Sequence, residues 1–154
     1  MNVDPGTLTR SATINDNDAA PAVTISNIGV GEGGIAAAVP VTLGAISGRT
    51  ISVTVATLTT GTATAGSDFT ASGPTLLTWA PGDVSPKFFN VPITDDAQGE
   101  ATETVKVRLS TPVNVTIGVG TADVAISDND GGGTAASLAS VDAATRSTED
   151  WPGR

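Results

Sequence analysis

The chain has 154 residues, a formal net charge of −9, and neither cysteine, histidine nor tyrosine. Its acidity argues against nucleic acid or an anionic membrane as a partner, because both require a basic surface. Without cysteine there can be no disulfide and no thiolate ligand, and acid–base chemistry would depend mainly on carboxylates. Abundant threonine and valine, with 18 glycines and 9 prolines, favour strands joined by turns in one domain.

The first 18 residues resemble residues 113–130. Eight positions match at a constant offset, and both copies end in Asp-Asn-Asp. The matching positions of the first copy are Asn2, Val3, Gly6, Thr9, Ile14, Asp16, Asn17 and Asp18. A period of about 110 residues indicates an array of whole domains and not a solenoid of small units. We therefore interpret residues 1–18 as the last strand of a preceding repeat and residues 19–130 as one complete domain.

Seven segments of this domain alternate apolar and polar residues with the period of a β-strand. The segment near residues 103–110, strand F, has Lys106 and Arg108 between apolar residues, which predicts a sheet with one face in the core and one face in water. The segment near residues 36–43, strand B, contains Pro40, which cannot donate a ladder hydrogen bond, so we expect this strand at a sheet edge. The predicted strands A to G lie near residues 22–28, 36–43, 50–57, 75–79, 87–93, 103–110 and 121–127. Seven short strands predict an all-β fold, an antiparallel immunoglobulin-like β-sandwich.

Acidic residues concentrate in the loops at one end of the predicted sandwich. If successive strands run antiparallel, the connections after strands A, C, E and G all emerge at the same end, whereas Asp83 lies at the other. Crowded carboxylates raise one another's pKa unless a cation lies among them, and Ca²⁺ prefers several carboxylate oxygens. A solvated acidic surface is the alternative reading. The candidate metal ligands are Glu32, Asp68, Asp95, Asp96, Glu100, Glu103, Asp128 and Asp130.

Five short motifs, in this order, resemble the Calx-beta domain. They are Gly31-Glu32-Gly33-Gly34, Gly61 to Phe69, Trp79-Ala-Pro-Gly82, Val91 to Asp96 with Glu100 and Glu103, and Ile126-Ser-Asp-Asn-Asp130. The resemblance implies a seven-stranded sandwich that binds calcium at its distal loops. Such domains occur in sodium-calcium exchangers, integrin subunits and bacterial surface proteins. Matched position by position, the family's ligands fall on the same acidic residues, with Glu103 beside them.

Two positions depart from the pattern of the family members that bind calcium best. Ala97 and Asn129 stand where those members carry a third consecutive aspartate. Fewer charges weaken a calcium site, so we expect an affinity in the roughly 10⁻⁴ to 10⁻³ M range of extracellular modules.

These observations favour a non-enzymatic calcium-binding structural module, with neighbouring repeats of the parent chain as its partners. We expect an extracellular or cell-surface location, as part of an exported protein, and no membrane insertion, because there is no apolar run of about 18 residues. Residues 131–154 have the Gly, Ala, Ser and Thr content of a flexible tail or linker.

Two alternatives remain open at this point. The first is an adhesion or spacer sandwich that no longer binds calcium tightly. The second is a glycosidase that uses paired carboxylates. Such sites usually have aromatic platforms for the sugar, and the acidic loops offer only Phe69. The glycosidase is therefore the weaker alternative, and we expect no enzymatic activity.

Overall fold

A computed structural model describes residues 11–13 and 19–131 of the chain. Residues 11–13 have no regular secondary structure, and the predictions for the rest of residues 1–18 and for residues 132–154 fall outside the described ranges. The described part contains nine strands and no helix. They are β1 (Ala22–Ile25), β2 (Ile28–Gly31), β3 (Ala36–Leu43), β4 (Ile51–Leu58), β5 (Thr75–Trp79), β6 (Lys87–Pro92), β7 (Glu103–Val113), β8 (Thr116–Val119) and β9 (Thr121–Ser127).

The strands form two sheets that pack face to face, which confirms the predicted β-sandwich. One sheet has four strands in the order β6-β3-β1-β8, and the other has five in the order β2-β9-β7-β4-β5. The inward-facing residues of both sheets build one core, mostly of valine and isoleucine with three large aromatic side chains. The buried aromatic residues are Phe69, Trp79 and Phe89.

Predicted strand A is in fact two strands that belong to different sheets. β1 pairs antiparallel with β3, whereas β2 pairs parallel with β9. The chain changes sheets at Ser26 and Asn27, two consecutive exposed residues that break the alternation of the strand. The Asn27 side chain accepts a hydrogen bond from the backbone N–H of Asp123 on β9, which holds this crossing against the five-stranded sheet.

Two further expectations are corrected by the strand pairing. β8 was not predicted, because it has four residues and pairs parallel with β1 through few inward-facing side chains. Pro40 does not mark an edge, since β3 lies between β6 and β1. The Pro40 carbonyl accepts a hydrogen bond from the backbone N–H of Ser26, one residue beyond the end of β1. The missing N–H of Pro40 therefore faces the point where the hydrogen-bond ladder between β3 and β1 ends.

The register of β3 defines the two ends of the sandwich. Ala36 pairs with Pro92 at one end, and Leu43 pairs with Val23 at the other. The loops after β2, β4, β6 and β9 gather at the first end, hereafter the acidic end, and those after β3, β5 and β7 at the second. An eight-residue strand spans roughly 26 Å, which separates the two sets of loops. Within the described ranges, no helix meets the length and apolarity that a membrane span needs.

Candidate metal centre

The structure brings the predicted acidic residues together as two triads of carboxylates. In each triad, one oxygen from every residue lies within 4.8 Å of the others. The first triad, hereafter triad 1, is Glu32, Asp128 and Asp130. The second, triad 2, is Asp68, Glu100 and Glu103. The six residues come from four separate loops and strand ends, so only the folded chain can assemble them.

Triad 1 follows directly from the parallel pairing of β2 with β9. Gly31 and Ser127 are register partners at the ends of these two strands. Glu32 continues β2 and donates its backbone N–H to the Ser127 carbonyl at 2.9 Å, so its side chain is beside Asp128, the next residue after β9. The Asp128 carboxylate also accepts the backbone N–H of Asp130 at 2.8 Å, which turns the chain so that both aspartates face Glu32.

Triad 2 depends on a glycine-rich turn between β4 and β5. In the turn from Gly61 to Gly66, the Thr64 backbone N–H donates a hydrogen bond to the Asp68 carboxylate. The residue after Asp68, Phe69, has its ring buried in the core, which anchors this segment. A Cβ on Gly61 would lie 2.0 Å from the Thr104 carbonyl oxygen, so only glycine lets this turn approach β7. The turn therefore holds Asp68 beside Glu103, the first residue of β7.

Asp95 and Asp96 belong to neither triad, but the charges of both act on Asp130 of triad 1, and the charge of Asp96 also acts on Glu100 of triad 2. The Asn129 side chain donates to Asp95 at 3.3 Å, and the backbone N–H of Gln98 donates to Asp96 at 2.7 Å. The charge of Asp96 raises the pKa of both Glu32 and Glu100, which places it between the triads. The loop after β6 thus closes the acidic end.

Sequence reasoning missed the roles of Gly33 and Gln98. A Cβ on Gly33 would come within 3.0 Å of the Asn129 amide nitrogen, so this glycine lets the loop after β2 approach the loop after β9. Gln98 also reaches Asp96 with its side chain, at 3.4 Å. The glycines around Glu32 were a visible signal for a close approach, whereas nothing in the sequence marked Gln98.

Crowding and burial disfavour the charged form of these carboxylates. Glu32 and Asp68 are the two buried charged residues of the described part, with 3% and 6% of their surfaces exposed. Burial first, and then the neighbouring carboxylates, raise the pKa values of Glu32, Glu100 and Asp130. Without a cation, the acidic end is therefore under electrostatic strain that a positive ion would relieve.

Glu103 has the largest of these shifts. A hydrogen bond with Asp68, then burial and then the charge of Asp68 raise the pKa of Glu103 to about 7. The Glu103 carboxyl therefore keeps its proton to a higher pH than an ordinary glutamate does. A cation that binds there must displace it, because a carboxylate binds a metal ion in its deprotonated form.

The geometry and the donor atoms of both triads fit Ca²⁺. Calcium takes six to eight oxygen ligands at roughly 2.3–2.6 Å, so two oxygens bound to one ion are at most about 5 Å apart. Each triad meets that limit and supplies only oxygen. The absence of histidine and cysteine from the whole sequence leaves none of the ligands that zinc prefers.

The remaining acids of the domain are placed differently. Asp83 forms an ion pair with Lys87 at 2.8 Å in the loop after β5, at the end opposite the triads. The Lys87 hydrogen bond, followed by those from Ser85, holds the Asp83 pKa well below its usual range. Asp123 pairs with Lys106 at 2.6 Å on the outer face of the five-stranded sheet. Phe69 is buried, so it is not available as a platform for a sugar ring.

We compared the chain with known protein families and solved structures. The family model of the Calx-beta domain matches residues 16–130. The apo form of the Calx CBD1 domain is 31% identical with a TM-score of 0.64, over 71% of this chain and 98% of that domain. No functionally curated protein matches the sequence significantly.

Two longer proteins are similar at the same level. CBD12 from CALX1.2 is 30% identical with a TM-score of 0.64, over 71% of this chain and 44% of that chain. The protein described as calcium binding domain CBD12 of CALX1.1 is 29% identical with a TM-score of 0.63, over 70% of this chain and 44% of that chain. The chain thus spans less than half the length of either CBD12 protein.

Proposed function

The chain belongs to the Calx-beta domain family, and from that premise we propose that it is a non-enzymatic, calcium-binding structural module. The observation that carries the proposal is the convergence of two carboxylate triads at one end of the sandwich, each with one buried acid, Glu32 or Asp68. The similarity to a protein described as a calcium binding domain supports calcium as the ion.

Calcium at this position would act on loops that are distant in sequence. Triad 1 joins the loop after β2 to the loop after β9, and triad 2 joins the loop after β4 to β7 and the loop before it. An ion that binds only the folded state stabilises it by RT ln(1 + [L]/Kd), or roughly 1.4 kcal/mol at ten times Kd. The residues that would hold the ions are those of the two triads, with Asp96 between the triads and Asp95 beside triad 1.

We place this module in a tandem array on an exported or cell-surface protein, where its role is structural. The Asp-Asn-Asp ending shared by residues 1–18 and 113–130 supports a preceding repeat. The CBD12 relatives, which are more than twice as long as the matched part, support neighbouring domains of the same kind. Calcium would then stiffen the acidic end and the joint to the next domain.

A spacer sandwich that binds calcium only weakly is the second candidate. Ala97 and Asn129 lower the number of charges in the acidic loops, and the proton held by Glu103 competes with an ion. Both effects reduce affinity without altering the fold.

A calcium titration of the full chain by calorimetry, with thermal unfolding in parallel, separates the two candidates. We expect saturable binding and a higher melting temperature at millimolar calcium than in chelator. Magnesium at equal concentration is the control, because it demands a smaller and more regular shell of ligands. An identical melting curve in chelator and in about 10 mM calcium, above the expected affinity range, would contradict the calcium module and leave the spacer.

A two-repeat protein tests the role in the array. If calcium stiffens the joint, small-angle scattering should show a longer maximum dimension with calcium than with chelator. Equal dimensions would mean that calcium acts within each domain only.

A further inference from the structure

A cavity of about 530 Å³ opens at the end of the sandwich opposite the triads. Three segments line it: residues 19–21 before β1, residues 46–49 between β3 and β4, and Asn114 between β7 and β8. Sites for small molecules usually have a volume of roughly 300–1,000 Å³, so this cavity has the size of a ligand site. The proposed calcium sites lie at the other end of the sandwich, so they make no use of it.

Hydrogen bonds to other parts of the fold hold the walls of the cavity in place. The backbone N–H of Thr116 donates to the Pro21 carbonyl at 2.9 Å, which fixes the segment before β1. The backbone N–H of Gly82 donates to the Ser47 carbonyl at 2.8 Å, which fixes the segment between β3 and β4. Each bond joins segments that are distant in sequence. The cavity is therefore formed by the folded domain before any ligand arrives, as ligand sites usually are.

Of the described residues that line the cavity, Arg49 alone is charged, and its side chain is exposed. The ion pairs among the described residues are Lys87 with Asp83 and Lys106 with Asp123. The Arg49 guanidinium takes part in neither pair, and it has no hydrogen bond to that part of the chain. It is always charged and presents its N–H groups as a planar fork that matches a carboxylate. Arg49 thus offers an unused anion-binding group on the cavity wall.

Two polar side chains near Arg49 are oriented by hydrogen bonds and keep further bonding capacity. The Ser47 hydroxyl accepts the backbone N–H of Arg49 at 3.1 Å, which leaves its own proton to donate. Asn114 has a left-handed backbone with φ of 57°, a conformation that asparagine adopts more readily than most residues. Its side-chain NH₂ donates to the Thr50 carbonyl at 2.8 Å, and its side-chain oxygen has no partner among the described residues. One donor and one acceptor therefore accompany the cation.

The remaining wall is apolar, which restricts the kind of anion that fits. Ile46 is 68% exposed and lines the cavity together with Ala20 and Pro21. Small-molecule sites combine such apolar surface with a few polar groups that orient the ligand. An apolar wall beside a single cation favours an organic anion over a bare inorganic ion. The net charge of −9 repels anions and repels a dianion more than a monoanion, so one carboxylate is the best match for one arginine.

From the unpaired Arg49, the polar groups beside it and the apolar wall, we propose that the cavity binds a small organic monocarboxylate. The carboxylate accepts hydrogen bonds from the Arg49 guanidinium and the Ser47 hydroxyl, and the carbon skeleton packs against Ile46. A hydroxyl group on the skeleton donates to the side-chain oxygen of Asn114. The site is about one strand length, roughly 26 Å, from the triads, so it goes beyond the proposed function and does not depend on it.

Titration of the ¹⁵N-labelled full chain with two carboxylates tests the site. Benzoate has an apolar skeleton and glucuronate a hydroxylated one, so the comparison also shows which skeleton the cavity prefers. For ligands of this size, the usual affinity per atom corresponds to a Kd of about 1–10 mM. We would titrate to about 50 mM in calcium-depleted buffer, with sodium chloride replaced so that the ionic strength stays constant. Saturable amide shifts with at least one probe are expected at residues 46–49 and 114, and none at residues 32–35.

Variants of two exposed arginines show whether the carboxylate is recognised by Arg49. Arg49→Ala should lower the affinity about tenfold or more, because it removes hydrogen bonds to a charged group. Arg49→Lys keeps the charge without the fork, so its affinity should lie between those of wild type and Arg49→Ala. Arg108→Ala is the matched control, since Arg108 is exposed on the outer face of the five-stranded sheet, and it should bind as the wild type does. Thermal unfolding checks that each variant is folded.

Four outcomes would overturn the proposal. The first is the absence of saturable shifts at residues 46–49 with both probes. The second is an equal response to benzamide, which has the ring of benzoate without its charge. The third is an equal loss of affinity in Arg49→Ala and Arg108→Ala, which would indicate unspecific attraction to positive charge. The fourth is binding that occurs only after Asp16 and Asp18 are replaced by asparagine, which would mean that the chain's own aspartates occupy Arg49. Calcium affinity is measured separately, so either result can fail alone.

Discussion

The backbone N–H of Glu100 donates a hydrogen bond to the Asp128 carboxylate at 3.0 Å, although 28 positions separate the two residues. Glu100 belongs to triad 2 and Asp128 to triad 1. This contact therefore joins the two triads through the protein itself. We therefore expect a substitution in one triad to affect the other triad as well.

Asp96→Asn should weaken calcium binding strongly, because Asp96 lies between the triads and its charge acts on acids of both. Asp83→Asn is the matched control, since Asp83 is at the opposite end in an ion pair with Lys87. It should leave calcium affinity close to that of the wild type. Calorimetric titration of both variants measures the difference. Equal losses would show that the acidic end does not contain the site.

Replacing both Asp128 and Asp130 by asparagine should nearly abolish binding at triad 1, because it removes two of its three carboxylates. The same double change at Asp16 and Asp18 should have almost no effect in this chain. By the internal repeat, those two aspartates would belong to a preceding domain whose other acids are absent from the sequence. Comparison of the two double variants by calorimetry checks the assignment. A large loss in the Asp16 and Asp18 variant would refute the repeat.

The stability of the calcium-free protein should fall as the pH rises from about 4.5 to about 7. Glu103 has a folded pKa of about 7 against an ordinary value of 4.5, so the folded state retains a proton that the unfolded state has lost. Glu32, Glu100 and Asp130 shift in the same direction. Melting temperatures in chelator should therefore be higher at pH 5.5 than at pH 8.

Glu103→Gln is the control for this pH dependence. It keeps the size of the side chain and removes its titration, so it should flatten the pH profile and raise the calcium-free stability at pH 8. In the wild type, saturating calcium should oppose the loss of stability as the pH rises. The reason is that the ion binds deprotonated carboxylates and releases the proton of Glu103. A profile that is flat in wild type, or equally steep in the variant, would contradict the raised pKa of Glu103.

Gly61→Ala should destabilise the fold by about 1–3 kcal/mol, the usual cost of overpacking. The new Cβ would lie 2.0 Å from the Thr104 carbonyl oxygen, so the turn would have to move away from β7 and carry Asp68 with it. Calcium affinity should fall as well. Gly48→Ala is the matched control, because a Cβ there meets nothing within 4 Å. Denaturant unfolding and titration of both variants measure the two effects, and similar stabilities would show that the turn is not constrained.

The alternation of apolar residues was enough to place seven of the nine strands to within three residues, because a half-buried strand must alternate to keep one face in the core. With successive strands taken as antiparallel, the order of the strands gave the direction of each. It also gave the end of the sandwich at which each loop lies, and so the gathering of the acidic residues at one end. The break in alternation at Ser26 and Asn27 was also visible in the sequence. Predicted strand A nevertheless ran through this break to residue 28, because nothing in the sequence showed that the chain continues there in the other sheet.

Only the tertiary structure decided which residues meet across the sandwich. Triad 1 depends on β2 running parallel to β9, and triad 2 on a turn whose close approach requires Gly61. The tolerance of Pro40 in an interior strand and the cavity beside Arg49 likewise depend on where neighbouring strands end. Periodicity describes each strand against an unspecified core, whereas pairing partners are chosen by contacts between segments far apart in sequence. The sequence alone therefore determined which residues are acidic and at which end they gather, and the fold decided how they divide into two sites.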